Sequence, residues 1–232
     1  MSWAHGSQRY PRGLIGPAGE TAARTAIIDS AILQPATAHA GEVGEILGVK
    51  LNGPLDSAGY IVPLTKGIPG PVVTALFEVK SVRSWLYPTA GEPYQLLSKA
   101  VRVSRGRPSE LVVPVLICRR AHYTTYQMAK RLGFLIIEME KLFVGDVPEE
   151  DLIRVRNTLH FHDLVHGSGP SLRVRDRLRK VVLPECVDYA STWQSTAASP
   201  IGTSILEIKK AANAEERRKL VWELEASLGG WT

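Results

Sequence analysis

The chain predicts an α/β fold: a central mixed β-sheet flanked by helices, followed by a mainly helical and irregular C-terminal extension. Three observations predict it. Apolar runs at residues 72–82, 111–118 and 134–137 have the length and β-branched composition of buried strands. Segments with helical apolar spacing lie between them, at residues 93–103 and 122–132. Past Pro148 the texture changes, with polar and basic residues and frequent turns. The expected division is a loose N-terminal arm over residues 1–18, a core over 19–147, and a basic extension over 148–232 whose last helix packs on the core.

Each element has its own signal. Residues 19–33 fit a helix, with Ala22, Ala23, Ala26, Ile27 and Ser30 on a small-residue face, although residues 25–33 fit a strand equally well. Residues 41–51 read as a short helical turn feeding a strand near 47–51. Residues 52–59 are a turn by composition, and a strand follows at 60–64, where Pro63 confines it to a sheet edge or shortens it. A second turn at 66–71 leads into the strand at 72–82. Pro93 suits the first turn of the next helix, whose apolar face holds Leu96, Leu97, Ala100 and Val103. The run at 111–118 is nearly all apolar and reads as a central strand. Gly133 is a stop signal for the helix before it, and the strand–helix–strand order that follows predicts a right-handed parallel crossover. Asn213, with Glu216 three residues on, opens a final helix whose apolar stripe is Leu220, Val221, Leu224 and Leu228.

Composition bounds the function. The 232 residues are 44% hydrophobic and 22% charged, values that support a packed core. No leader-like apolar segment opens the sequence, and no stretch approaches the roughly 20 apolar residues of a membrane span, so a soluble, cytoplasmic protein is expected. Cys118 and Cys186 have no metal-ligand spacing and read as free thiols. The net charge of +5 is compatible with a nucleic-acid partner, and basic residues gather at 102–107, 119–120 and 173–180. Each cluster is equally consistent with a solvated face.

One triplet stands apart. Glu78-Val79-Lys80 closes an apolar strand, and alternation puts Glu78 and Lys80 on one face with Phe77 and Val79 on the other. Two ionisable groups in a buried strand are costly unless they pair or bind a metal. The tripeptide alone is weak, since Glu207-Ile208-Lys209 repeats it. Context separates the two: only the first has an acid, Asp56, one strand earlier, a polar-faced helix carrying Gln95 after it, and a strand–helix–strand unit beyond.

That arrangement resembles the PD-(D/E)xK phosphodiesterase superfamily, the restriction-endonuclease-like and Holliday-junction-resolvase-like nucleases. The resemblance covers residues 41–144, with 19–33 as a first helix. Pro54-Leu55-Asp56 stands for the family's Pro-Asp pair with one residue inserted, and Glu78-Val79-Lys80 for its acid-x-lysine half. The resemblance implies a nuclease that hydrolyses phosphodiester bonds, in DNA, with Mg2+ or Mn2+. Asp56 and Glu78 would ligate the metal with the Val79 carbonyl. Glu45 would supply a further N-terminal acid, with Glu42 and Glu20 as competitors. Lys80 would orient the attacking water and Gln95 would position water or phosphate. Arg83, Lys99, Arg102, Arg105, Arg119 and Arg120 would track the nucleic-acid backbone, and two-strand cleavage would call for a homodimer. Such chemistry needs hard oxygen ligands and a nearby cation, which these residue types supply.

Other readings of the same residues stay open. Glu78 and Lys80 fit a plain ion pair with Asp56 as a turn former, in a catalytically silent module that binds nucleic acid or protein. His160, His162 and His166 suggest a zinc site, with His162 and His166 one helical turn apart. Trp85, Tyr87, Trp193, Trp222 and Trp231 offer base-stacking surfaces, or packing and cap residues.

Overall fold

The computed structural model describes residues 14–37, 42–167 and 169–231. Helix α1 spans Ile15–Asp29 and buries Ala18, Gly19, Ala22, Ala23, Ala26 and Ile27, so the small-residue face belongs to a helix and not to a strand. The expected arm falls largely on residues 1–13, outside the described residues, while Ile15 to Ala18 already belong to α1. Strand β1 (Gln34–Pro35) is followed by a hairpin of β2 (Val43–Ile46) and β3 (Val49–Leu55). A helical turn expected here is absent among the described residues, and Gly41 lies outside them. Leu47 and Gly48 both take positive φ, which closes a two-residue hairpin loop in place of a helical turn.

Residues 52–59, expected as a turn, are mostly strand. β3 passes through Asp56 into β4 (Ser57–Ile61), which ends before Pro63. A small hairpin of β5 (Leu64–Thr65) and β6 (Ile68–Pro69) leads to β7 (Val73–Lys80). Helix α2 (Glu92–Gly106) carries Pro93 in its first turn, and β8 (Leu111–Cys118) is buried along almost its whole length. The His122 side chain accepts a hydrogen bond from the Thr124 amide and caps α3 (Tyr123–Leu132). Gly133 ends α3 in the left-handed region at φ 84, and a Cβ there would lie 2.3 Å from the Trp193 nitrogen. Strands β9 (Leu135–Glu138) and β10 (Leu142–Val144) follow, then α4 (Glu149–Leu159) and β11 (Leu164–His166). Helices α5 (Leu172–Arg177), α6 (Leu183–Ala198), α7 (Pro200–Lys210) and α8 (Ala214–Ser227) complete the chain, with a π-helical turn at Leu178–Val182.

The central sheet has five strands in the order β1-β4-β7-β8-β9. β4 runs antiparallel to both of its neighbours, β1 and β7, whereas β7, β8 and β9 run parallel through the crossovers α2 and α3. The sheet is therefore mixed, with β7 in its middle. Its two faces bury separate layers. Leu76 and Leu116 join α2, α7 and α8 side chains on one face. Val73, Ala75, Phe77 and Val79 join α1 and the start of α6 on the other. The C-terminal third is helical, and its longest helix is built into the core. Cys186 and Ala190 of α6 pack in one layer and Trp193 in the other, where the indole donates to Ser104 Oγ at 3.1 Å. At the start of α8 the Asn213 side chain accepts from the Glu215 and Glu216 amides, while Glu216 reaches back to the Ala212 amide. Val221 and Leu224 of its stripe are buried.

Candidate functional site

Strand parity places Glu78. On β7 its side chain leaves the sheet on the α2 face, opposite Phe77 and Val79, and it is only 4% exposed. Two lysines answer it. Lys80, two residues on, reaches Oε1 at 2.8 Å, and Lys99 from α2 reaches Oε2 at 2.7 Å. Lys99 is 6% exposed and also donates to the Pro54 carbonyl at 2.5 Å, tying α2 to the end of β3.

Asp56 sits where β3 passes into β4. Its amide donates to the Phe77 carbonyl, and its Oδ2 accepts from the Val79 amide at 2.7 Å. Arg24 of α1 reaches Oδ1 at 3.1 Å and also donates to the Asp56 carbonyl. Asp56 is thus held against β7 on both sides of Glu78. Arg24 in turn pairs with Glu20, one helical turn earlier. Burial and the nearby Asp56 charge push the Glu20 carboxyl above its ordinary range, with Arg24 and Lys80 pulling it back. Gly19 permits this approach: a Cβ there would fall 2.3 Å from Ser81 Oγ, so only glycine lets α1 lie this close to the end of β7.

Two charge clusters therefore flank this end of β7: Glu20, Arg24 and Asp56 from α1 and the β3–β4 junction, and Glu78, Lys80 and Lys99 from β7 and α2. Glu78 and Lys80 pair directly, and Asp56 meets the same strand at the Val79 amide. Gln95 lies one turn before Lys99 on α2, half-buried, with no hydrogen bond from its carboxamide among the described residues. Glu45 is exposed on the β2–β3 hairpin opposite Lys50, so the acid set beside Asp56 is Glu20. Arg24 escaped sequence reading, although its i, i+4 spacing from Glu20 was a signal. Lys99 was expected on a backbone-tracking surface but is buried in the cluster, because its position on α2 faces β7.

Other basic residues have structural partners. Arg105 donates to the Ala197 and Ser199 carbonyls and to Thr203, holding the α6–α7 corner while remaining exposed. Arg119 is buried in a bidentate pair with Asp163, both bonds 2.7 Å. Arg83 pairs with Glu92 at its exposed tip. Arg102 is exposed, and Arg120 is half-exposed with Asp163 at 3.6 Å.

Among the described residues no group of three or more His, Cys, Asp or Glu side chains stands close enough to hold a metal ion. Asp56, Glu78 and Glu45 are not gathered as a ready ligand set, and neither are the three histidines. His166 lies on β11, not on a helix, and pairs with Glu149 at 2.7 Å, while His160 and His162 have ring centroids 6.1 Å apart. Magnesium, however, is commonly held by one or two carboxylates plus water and substrate phosphate, and Asp56 and Glu78 have that chemistry. Their four oxygens each meet a cationic side chain or an amide. A metal would have to displace at least one of these partners. Cys118 lies beside Lys80 in register, and burial, with Glu138 nearby, pushes its thiol up to about 12.

A second concave region lies past the carboxyl ends of β8 and β9. It is a cleft of about 770 Å³ lined by Trp85, Phe161, Arg119, Arg120, Lys141 and the two histidines, with acidic groups on its walls. No helix among the described residues is long and apolar enough to cross a membrane. Compared with protein-family models, curated proteins and solved structures, the chain matches none of them.

Proposed function

We propose that the protein is a divalent-metal-dependent nuclease acting on DNA, with Asp56 and Glu78 as metal ligands and Glu20 as the accompanying acid. The observation that carries the reading is that the Glu78–Lys80 pair, Asp56 bound to the Val79 amide between them, and Glu20 near Asp56 and Lys80 all lie at one end of the middle strand. Bound Mg2+ or Mn2+ would lower the pKa of its water and neutralise charge developing on phosphate. Lys99 fixes the Glu78 carboxylate from behind, so that Lys80 is the cation left at the more open side, its side chain 25% exposed. From there its ammonium is placed to stabilise charge on an attacked phosphate. Gln95, whose carboxamide has no partner among the described residues, would hold water or a phosphate oxygen. Arg102 and Arg120 remain as surface contacts for a nucleic-acid backbone. Cutting both strands of a duplex would draw on two copies of the chain.

The test is a cleavage assay with Mg2+ or Mn2+ against an EDTA control, over duplex, branched and single-stranded DNA. Wild-type protein is expected to cut at least one of them, and Asp56→Asn and Lys80→Ala to lose that activity while keeping a wild-type circular dichroism spectrum. Wild-type protein that cuts none of them overturns the reading.

The saturation of Asp56 and Glu78 by Arg24, Lys80 and Lys99 favours a second reading, a catalytically silent module that binds nucleic acid or protein. Three buried or half-buried ion pairs can serve as a structural lock. Calorimetric titration with Mn2+ separates the two: heat of binding that Asp56→Asn abolishes supports the nuclease, and no binding supports the silent module.

A further inference from the structure

The cleft beyond β8 and β9 has an unusual wall. Residues 85–87 run extended beside the start of α3. The Leu86 amide donates to the Arg120 carbonyl at 2.9 Å, and the Leu86 carbonyl accepts from the His122 amide at 2.8 Å. Leu86 is buried at 1%, so alternation turns its neighbours Trp85 and Tyr87 outward, 45% and 46% exposed. Across the cleft, Phe161 is also exposed.

Each aromatic group has a cation or imidazole beside it. The Arg120 guanidinium lies 5.9 Å over the Trp85 ring, and that of Arg119 lies 5.8 Å from the Phe161 ring centre. Tyr87 stacks on His122, with centroids 4.8 Å apart. Asp163 fixes Arg119 and Glu140 is paired with Arg173. Lys141, His160 and His162 have no ion-pair partner among the described residues. Exposed aromatic rings with cations beside them form a surface for stacking flat groups that carry negative charge.

The position of this surface connects it to the charge cluster. Lys80, Cys118 and Glu138 are in register across β7, β8 and β9. With neighbouring strands about 4.8 Å apart, the cleft floor at Glu138 lies about 10 Å from the Lys80 backbone. Carboxyl ends of parallel strands are where open α/β sheets place ligands.

We propose that this cleft binds a short unpaired segment of nucleic acid, with successive bases stacked on Trp85 and Phe161 and phosphates drawn by Arg120 and Lys141. The proposal deepens the nuclease reading and rests on it for the role of the bound strand, naming the substrate as one with a single-stranded end, flap or gap. A duplex keeps its bases stacked inside, so rings standing in a cleft offer it little; unpaired bases have both faces free.

The test is fluorescence anisotropy with a labelled short oligothymidine in EDTA, so that binding is read without cutting. Wild-type protein is expected to bind, and Trp85→Ala and Phe161→Ala to weaken binding by about tenfold or more each, with Trp85→Phe retaining most of it. Both residues are exposed, and a wild-type melting temperature confirms that the variants fold. Arg120→Gln is expected to flatten the salt dependence by about one phosphate contact. Unchanged binding in Trp85→Ala and Phe161→Ala overturns the proposal, as do equal affinity for a duplex of the same length and equal competition by a free mononucleotide. Failure of the nuclease reading shows itself separately: wild-type protein that binds oligothymidine through Trp85 and Phe161 but cuts nothing with Mn2+ leaves the cleft proposal standing and removes the catalytic one.

Discussion

The tripeptide pattern Glu-x-Lys occurs at 78–80 in β7 and at 207–209 in α7, and the two copies behave differently. On β7 the two-residue spacing returns to the same face, so Lys80 lies 2.8 Å from Glu78 in a site closed by Lys99. On α7 the same spacing turns through about 200°, and Glu207 and Lys209 are exposed on either side of buried Ile208. Backbone period, not residue identity, decides whether the pair becomes a coupled unit. The tertiary neighbours then decide whether the unit is a site: β7 has Asp56, Arg24 and Lys99 against it, whereas α7 sits at the periphery under α8.

Substitutions in and around the two copies probe this contrast. The largest effect is on activity. With Mn2+ and a cleavable DNA, Lys80→Ala is expected to lower the cutting rate by about 10²–10³-fold, while Lys209→Ala leaves it at wild type; parallel losses in both would erase the distinction. Stability comes next. Glu78→Ala leaves Lys99 buried without its carboxylate and is expected to lose about 3–5 kcal/mol in urea unfolding, against about 0.5 kcal/mol or less for Glu207→Ala. Adding Lys99→Met to Glu78→Ala should restore much of that loss, since the cost lies in the unpaired charge. Gly19→Ala pushes α1 off Ser81 and should lose about 1–3 kcal/mol, with weaker Mn2+ binding because Glu20 and Arg24 move with the helix. A melting temperature equal to wild type would show that α1 can shift freely.

The smallest effect is a pH dependence. Glu20 has a folded pKa raised above its ordinary 4.5, so the folded state favours its protonated form. Its ionisation therefore works against folding as pH rises above 4.5, and the penalty is complete once the folded-state value is passed. Glu20→Gln is expected to match wild type below pH 4 and to be slightly more stable at pH 7, the difference reduced by the solvent exposure of Glu20. A variant less stable than wild type at pH 7 would mean that pairing with Arg24 outweighs burial.

Much of the core was legible in the chain. The apolar run at 111–118 became β8 with the same limits, since a segment buried on both faces admits few other structures. The helix expected at 122–132 is α3, which begins one residue later, after His122, and ends at the expected stop, Gly133. Residues 52–59 misled because their signals are local: Gly53 and Pro54 resemble a turn, yet pairing of Ser57 through Ile61 with β7 makes β4 a strand next to the sheet centre. The Trp residues likewise could not be sorted by type, for Trp193 and Trp231 are buried while Trp85 and Trp222 are not.

By itself the sequence determined the α/β class, the order of the crossovers, and the placing of Glu78 and Lys80 on one face, because alternation and helical period are properties of neighbouring residues. Only the tertiary structure decided which acids meet. Glu20 and not Glu45 stands beside Asp56, and Lys99 faces inward while Arg102 does not, because these choices depend on how α1 and α2 lie across β7. That packing is fixed by contacts between segments dozens of residues apart, such as Gly19 against Ser81 and Lys99 against Pro54, which no local pattern encodes.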